Sequence, residues 1–134
     1  MASGLYTPYT ALLMTTGLNL SSLTIKAALI DSGTYTVDFT NHNFWDDASA
    51  GVVGTPVALA SKTTAARTFD AADTTISSVT GATVEAVIIY NDTGVASTSD
   101  LLVYIDGLSV TPNGGDIVLQ WNATNGIFKF AAPA

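Results

Sequence analysis

The fold is decided by the stretch Thr83-Val84-Glu85-Ala86-Val87-Ile88-Ile89-Tyr90. It is rich in β-branched and aromatic residues, which favour extended strands. Successive side chains of a strand point to opposite faces. Both faces are apolar here, because Ile88 and Tyr90 lie on one and Val87 and Ile89 on the other. Since a strand that is apolar on both faces is typical of the middle of a sheet, we predict a central strand.

Short runs of Val, Ile, Thr and aromatic residues recur on both sides of this stretch, separated by Gly, Asn and Asp. They predict further strands at residues 23–30, 35–39, 55–61, 66–69, 74–79, 101–105, 116–121 and 126–130. Pro56 lacks a backbone N–H and therefore predicts that its strand is an edge strand or a bulged one. Asp106-Gly107 predicts a turn after the strand at 101–105. Many short strands between such turns predict a mainly β domain, an antiparallel sandwich or barrel.

One short helix is expected near the N-terminus. Thr7 is suited to cap it, and Pro8 is suited to the first helical position. Apolar residues then follow at helical spacing, and Gly17 is a natural C-terminal cap, so we predict a helix over residues 8–16. A chain of 134 residues is the size of one domain. We divide it into an N-terminal arm with the helix, residues 1–17, and a β core, residues 18–134.

Composition excludes several classes of function. The formal net charge of -7 disfavours binding to a nucleic-acid backbone. The absence of cysteine excludes disulfides, thiolate metal sites and cysteine nucleophiles. The start of the chain lacks the pattern of a signal peptide, and the longest apolar run, residues 86–90, is far shorter than the ~20 residues needed to span a bilayer. We therefore expect a soluble protein that is made in the cytoplasm and contacts no membrane.

The polar residues predict no catalytic or metal site. His42 is the single histidine and lies in a polar loop, which is usually a solvent-exposed position. Glu85 is the single glutamate, and most aspartates lie at turns, where they form local hydrogen bonds. Asp46-Asp47 is the only adjacent acidic pair, and no calcium loop is present. We predict no catalytic residues, no metal and no cofactor, and hence no enzyme.

The surface is predicted to be poor in charge, since charged residues make up only 11% of the chain against a norm of roughly 25%. A neutral surface of Thr, Ser, Ala, Asn and Gly is easily desolvated, as suits a subunit of a larger assembly. Trp45 and Trp121 allow two interpretations. If their rings are exposed, they are platforms on which sugars stack. If their rings are half-buried, they cap the core of the sandwich.

The order of motifs along the chain resembles that of a widespread family of small tailed-bacteriophage proteins, which are either uncharacterised or virion structural components. The resemblance is centred on Tyr90-Asn91-Asp92-Thr93-Gly94 and the strand before it. It continues through the Pro112-Asn113-Gly114-Gly115 turn and Gln120-Trp121. Upstream it includes residues 24–31, residues 35–37 and the N-terminal helix. It covers nearly the whole chain.

This resemblance implies a place in a virus particle and offers no catalytic residues. We predict a capsid decoration or cement protein on the outer head surface, because packaged DNA repels an acidic domain. Its expected partners are the major capsid protein, copies of itself as a trimer or dimer, or both. The residues predicted to make these contacts are Leu5, Tyr6, Tyr9, Phe44, Trp45, Phe128 and Phe130. Deletion of residues 1–16 is expected to leave a folded β core that no longer attaches.

Two alternatives stay open from the sequence. The first is another place in the particle, as a tail, baseplate or fibre component. The second is a glycan-binding β module that uses Trp45 or Trp121. Copy number in the particle separates the first from a decoration protein, and a response of tryptophan fluorescence to glycans separates the second.

Overall fold

A computed structural model describes residues 3–122 and 124–130. It is mainly β, with antiparallel sheets and one α-helix, α1 (Thr7–Leu13), which confirms the predicted fold class. The strands of the described residues are β1 (Gly4–Leu5), β2 (Ile25–Ile30), β3 (Val52–Ala58), β4 (Thr63–Ala65), β5 (Thr68–Asp70), β6 (Thr74–Ile76), β7 (Val84–Asn91), β8 (Leu101–Val110), β9 (Ile117–Leu119) and β10 (Phe128–Lys129).

The main sheet has five strands in the order β1-β8-β7-β2-β3, and every neighbouring pair is antiparallel. The predicted central strand is confirmed, since β7 lies in the middle and only Glu85 of its residues is not fully buried. Pro56 lies in β3, which is an edge strand, as predicted. Two small sheets, β10-β5-β4 and β6-β9, complete a sandwich-like arrangement.

One face of the main sheet, here the loop face, is covered by the segment of residues 31–51, here the covering loop. Tyr104 of β8 pairs with Ile88 of β7, so Tyr90 lies on the same face as both. The ring of Phe39 packs edge-on against Tyr104, with centroids 6.0 Å apart. Trp45 stacks on Tyr90 at 4.3 Å. The covering loop therefore seals this face with aromatic rings.

The opposite face, here the strand face, is covered by the small sheets. Val87 and Ile105 are paired across β7 and β8 and therefore share this face. They line one cleft together with Leu119 of β9 and Ile127, which lies just before β10. The two faces of the main sheet are thus covered by different segments of the chain.

Two predicted elements are wrong, and both errors have a physical cause. Residues 35–39 form no strand, although Tyr35 and Val37 are buried as the alternation indicates. Their side chains pack down onto the loop face, and the backbone joins no ladder. The predicted turn at Asp106-Gly107 lies inside β8. Gly107 has a φ of +97°, near a shift in the register between β7 and β8, and so marks a bulge.

The N-terminal segment belongs to the core and is not a detachable arm. β1 pairs with β8, and the side chains of Tyr6 and Tyr9 are 0% and 2% exposed. The helix begins at Thr7, one residue before the predicted start, and ends earlier, at Leu13. The C-cap is Met14 and not Gly17 as predicted. Gly17 instead ends the turn that follows, with a φ of +69° and its N–H donating to the Leu12 carbonyl at 2.8 Å.

Candidate contact surface

The predicted contact residues at the N-terminus are largely internal. The hydroxyl groups of Tyr6 and Tyr35 are hydrogen-bonded at 2.8 Å, and the Tyr6 ring packs on Phe39. Leu5 is half-buried. Tyr6 therefore cannot be a surface contact, which corrects that prediction. Tyr9 is also buried, and its side chain contributes only to the wall of a cleft.

Phe44 and Trp45 lie in the covering loop and are half-buried. One ring face of Trp45 is occupied by Tyr90. The loop is held by Asp47, whose Oδ2 accepts hydrogen bonds from the backbone N–H groups of Asn43 and Phe44 at 2.9 and 3.2 Å. The bond from Asn43 is the main reason why the pKa of Asp47 is lowered. The carboxylate of Asp47 is thus charged and structural.

Phe128 and Phe130 of the C-terminal region lie on the other side of the molecule. Their rings meet edge-on with centroids 5.5 Å apart, and Phe130 is 43% exposed. Phe128 also contacts Tyr9 and Phe69. Three of the seven predicted contact residues, Tyr9, Phe128 and Phe130, therefore come together, and the aromatic pair of the covering loop is separate from them.

These three residues belong to what we call the aromatic cleft, an open space of about 270 Å³. Its lining is formed by Tyr9, Leu13, Leu18, Asn19, Leu20, Thr64, Arg67, Thr68, Phe69, Phe128 and Phe130. Arg67 is its only charged residue. The composition suits an apolar group with an anionic neighbour.

Arg67 stands on the tight turn between β4 and β5. Ala66 and Arg67 have φ values of +53° and +62°, in the left-handed region that favours glycine. A turn of this type is most easily built from Asn-Gly, so holding two residues with side chains here costs conformational energy. Sequence reasoning missed this turn, because it extended a strand through residues 66–69.

A second cleft, the Trp121 cleft, has a volume of about 280 Å³. Trp121 donates its indole N–H to the Ala72 carbonyl at 3.1 Å, which fixes the ring. Gln120 and Asn122 add polar groups to the lining, which contains no charged residue. Sequence reasoning picked out the tryptophan but not the amides beside it.

Charge is divided unequally between the two covers. The covering loop contains four aspartates, Asp31, Asp38, Asp46 and Asp47, and no Lys or Arg. Three of the four cations lie on the other cover, as Lys62, Arg67 and Lys129. The fourth, Lys26, forms the only ion pair among the described residues, with Asp92 at 2.7 Å. The strand face cover also holds Asp70, Asp73 and Asp116, so it is near neutral and the covering loop is acidic.

The histidine is part of a hydrogen-bonded chain and not a free loop side chain. His42 Nδ1 accepts the backbone N–H of Asp38 at 3.2 Å and lies 2.8 Å from the Tyr35 hydroxyl, which bonds Tyr6. Since Nδ1 already accepts an N–H, the Tyr35 hydroxyl donates to it. Burial raises the pKa of Tyr35 to about 12. The described residues contain no group of three or more potential metal ligands.

The described geometry is that of a small antiparallel β domain whose aromatic cleft and Trp121 cleft both lie beside the small sheets. None of its described helices is long and apolar enough to cross a membrane. A scan of the chain against models of protein families finds no match, and a search of curated proteins finds no significant relative.

Proposed function

We propose that this chain is a non-enzymatic structural protein of a tailed-bacteriophage virion, in which it decorates the outer capsid surface and bridges neighbouring major capsid subunits. The aromatic cleft is the observation that carries the proposal. It offers an apolar floor beside an exposed ring, Phe130, on a surface otherwise poor in charge. Such a site suits an anchor residue from a neighbouring protein.

The low density of charge supports an assembled state. An accessible surface of 6747 Å² carries eleven acidic and four basic side chains, or about one charge per 450 Å². A standard interface covers about 800 Å² per partner. Surface patches of that size are therefore desolvated without stripping water from many ions, which keeps the cost of burial low.

Quantification of purified particles tests the role in the virion. Gel densitometry against the major capsid band should give hundreds of copies for a decoration protein. A tail, baseplate or fibre component should appear in small multiples of three or six. Absence of the chain from particles would refute any virion role.

A substitution in the cleft tests the site. Phe130→Ser should lower occupancy on capsids depleted of the chain, because it removes an exposed anchor at little cost to the fold. Val95→Ser is the matched control, since Val95 is 54% exposed and does not line the cleft. Equal occupancy of both variants would show that the cleft contributes nothing to attachment, whether it binds the capsid or another copy of the chain.

The Trp121 cleft favours a second candidate, a glycan-binding module of the virion. A fixed indole beside two side-chain amides is a combination that stacks on a sugar ring and binds its hydroxyls. Tryptophan fluorescence should then respond to host polysaccharide in the native chain and not in Trp121→Ala. Trp45 remains in that variant as an internal reference. No response across a glycan panel would remove this candidate.

A further inference from the structure

Opposite sides of the molecule carry complementary contact chemistry. The tip of the covering loop, residues 44–47, here the acidic tip, holds two partly exposed aromatic rings beside Asp46 and Asp47. The aromatic cleft holds apolar rings beside Arg67, and Lys129 is paired with Thr68 at the same end of the sheet. The acidic tip covers the loop face, whereas the sheet that forms the cleft covers the strand face.

Asp46 is exposed and makes no hydrogen bond or ion pair within the part of the chain that the structure describes. Its neighbour Asp47 is used to hold the loop. The two acidic residues thus have different roles. Asp47 fixes the shape of the tip, and Asp46 presents a charge that the fold itself does not use.

The strained turn at Ala66-Arg67 supplies an independent observation. Glycine at either position would adopt the positive φ without strain. The side chain of Arg67 is exposed, so the fold gains little from it. Strained residues persist where the surrounding structure or a function requires them. Here the strain keeps a guanidinium group at the mouth of an apolar cleft.

We propose that copies of this chain associate head to tail, with the acidic tip of one copy docked in the aromatic cleft of the next. Asp46 then faces Arg67, and an aromatic ring of the tip covers the exposed Phe130. Because the two contact sites differ, the interface is heterologous, and repeated contacts close into a ring or continue as a filament. The contact between copies adds detail to the proposed assembly role. It rests on that proposed function only for the location of the chain in the virus particle.

Sedimentation velocity of the purified chain, without capsid, tests the contact. The native chain should form species larger than a monomer. Raising the ionic strength from about 0.1 to about 1 M shortens the Debye length from about 10 to about 3 Å and should weaken the association. A chain that stays monomeric at every concentration and ionic strength would overturn the proposal. Capsid occupancy is a separate measurement, so failure here is distinguishable from failure of the virion role.

Charge reversal identifies the pair. Arg67→Glu and Asp46→Arg should each lower the association constant by about tenfold or more, because each places like charges opposite one another. The double variant, and an equimolar mixture of the two single variants, should recover most of the association. Association that persists in the single variants, or a double variant without recovery, would place the contact elsewhere.

A glycine pair separates charge from folding. Ala66→Gly and Arg67→Gly both relieve a positive φ, and both should leave the thermal midpoint unchanged or raised. Only Arg67→Gly should weaken association, because only it removes the guanidinium group. Equal association of both variants would show that Arg67 makes no contact between copies.

Discussion

The covering loop and the small sheets each bury one apolar face of the main sheet, but they do so with different kinds of structure. The covering loop has little regular structure, yet it seals the loop face through aromatic ring contacts and side-chain hydrogen bonds. The closest of the ring contacts is Trp45 stacked on Tyr90. The strand face is covered by short, regular strands that leave open clefts. Regular secondary structure is therefore no guide to tight packing in this protein. The irregular cover holds the closest ring stacking, and the regular cover holds the aromatic cleft and the Trp121 cleft.

The largest effect is expected where the N-terminal segment joins both covers. Deletion of residues 1–16 removes β1 and the buried side chains of Tyr6 and Tyr9. Loss of one buried aromatic side chain costs about 3–5 kcal/mol, and a whole domain is stable by only about 5–15 kcal/mol. We expect the truncated chain to show no cooperative thermal unfolding transition. Circular dichroism as a function of temperature measures this.

A cooperative transition of the truncated chain within a few degrees of the native one would contradict this. The segment would then be a true arm, and the loop face would be stable without Tyr6. The outcome also bears on capsid binding, since a truncated chain that fails to fold cannot report on contacts made by its missing residues.

The second effect compares the tryptophans of the two covers. Trp45→Ala should cost about 3 kcal/mol, because its ring is stacked on Tyr90 within the sealed cover. Trp121→Ala should cost about 1–2 kcal/mol, since its ring borders an open cleft. Urea unfolding monitored by circular dichroism measures both. Equal losses would mean that the two covers are packed equally well.

Sequence patterns predicted the main sheet better than its covers. The local sequence is enough to place β7 and the strand of Pro56 in the sheet. Apolar residues on both faces indicate a central strand, and a missing backbone N–H indicates an edge strand. The alternation at residues 35–39 reported burial correctly but could not distinguish a ladder from a loop packed on a sheet.

The site was predicted only in part, for a related reason. Phe128 and Phe130 are far in sequence from Tyr9, and no local pattern indicates that they meet. Ala66-Arg67 contains no glycine, so the turn that presents Arg67 lacks the Asn-Gly or Asp-Gly pair by which such turns are recognised in a sequence. The three exposed residues of β4 also lack apolar alternation, and that strand was not predicted.

The third effect uses alkaline pH to test the sealed cover. Burial raises the pKa of Tyr35 and of Tyr90 to about 12, from the ordinary value of 10.0. A raised folded pKa means that the unfolded chain loses its proton first, so this stability is intact below pH 10 and is lost as the pH rises towards 12. The thermal midpoint should fall by several degrees over that interval, as tyrosine absorbance at long wavelength increases.

Tyr35→Phe is the control for this interval. The variant lacks one titrating hydroxyl of the hydrogen-bonded chain to His42, so its midpoint at neutral pH should be lower. Its further fall in alkali should be smaller than that of the native chain. A midpoint independent of pH up to 12 in the native chain would show that folding does not raise the pKa of these hydroxyl groups.

The smallest effect has the opposite sign and contrasts two tyrosines. The Tyr9 hydroxyl is the only buried side-chain polar atom of the described residues without a hydrogen-bond partner. Desolvation alone raises its pKa to about 12. An unpaired buried hydroxyl costs about 1–3 kcal/mol, so Tyr9→Phe should stabilise the chain by about 1 kcal/mol. Tyr6→Phe, which breaks the bond to Tyr35, should destabilise it by about as much. If both variants lose stability, the Tyr9 hydroxyl has found a partner in solution, and the wall of the aromatic cleft is closed as tightly as the covering loop.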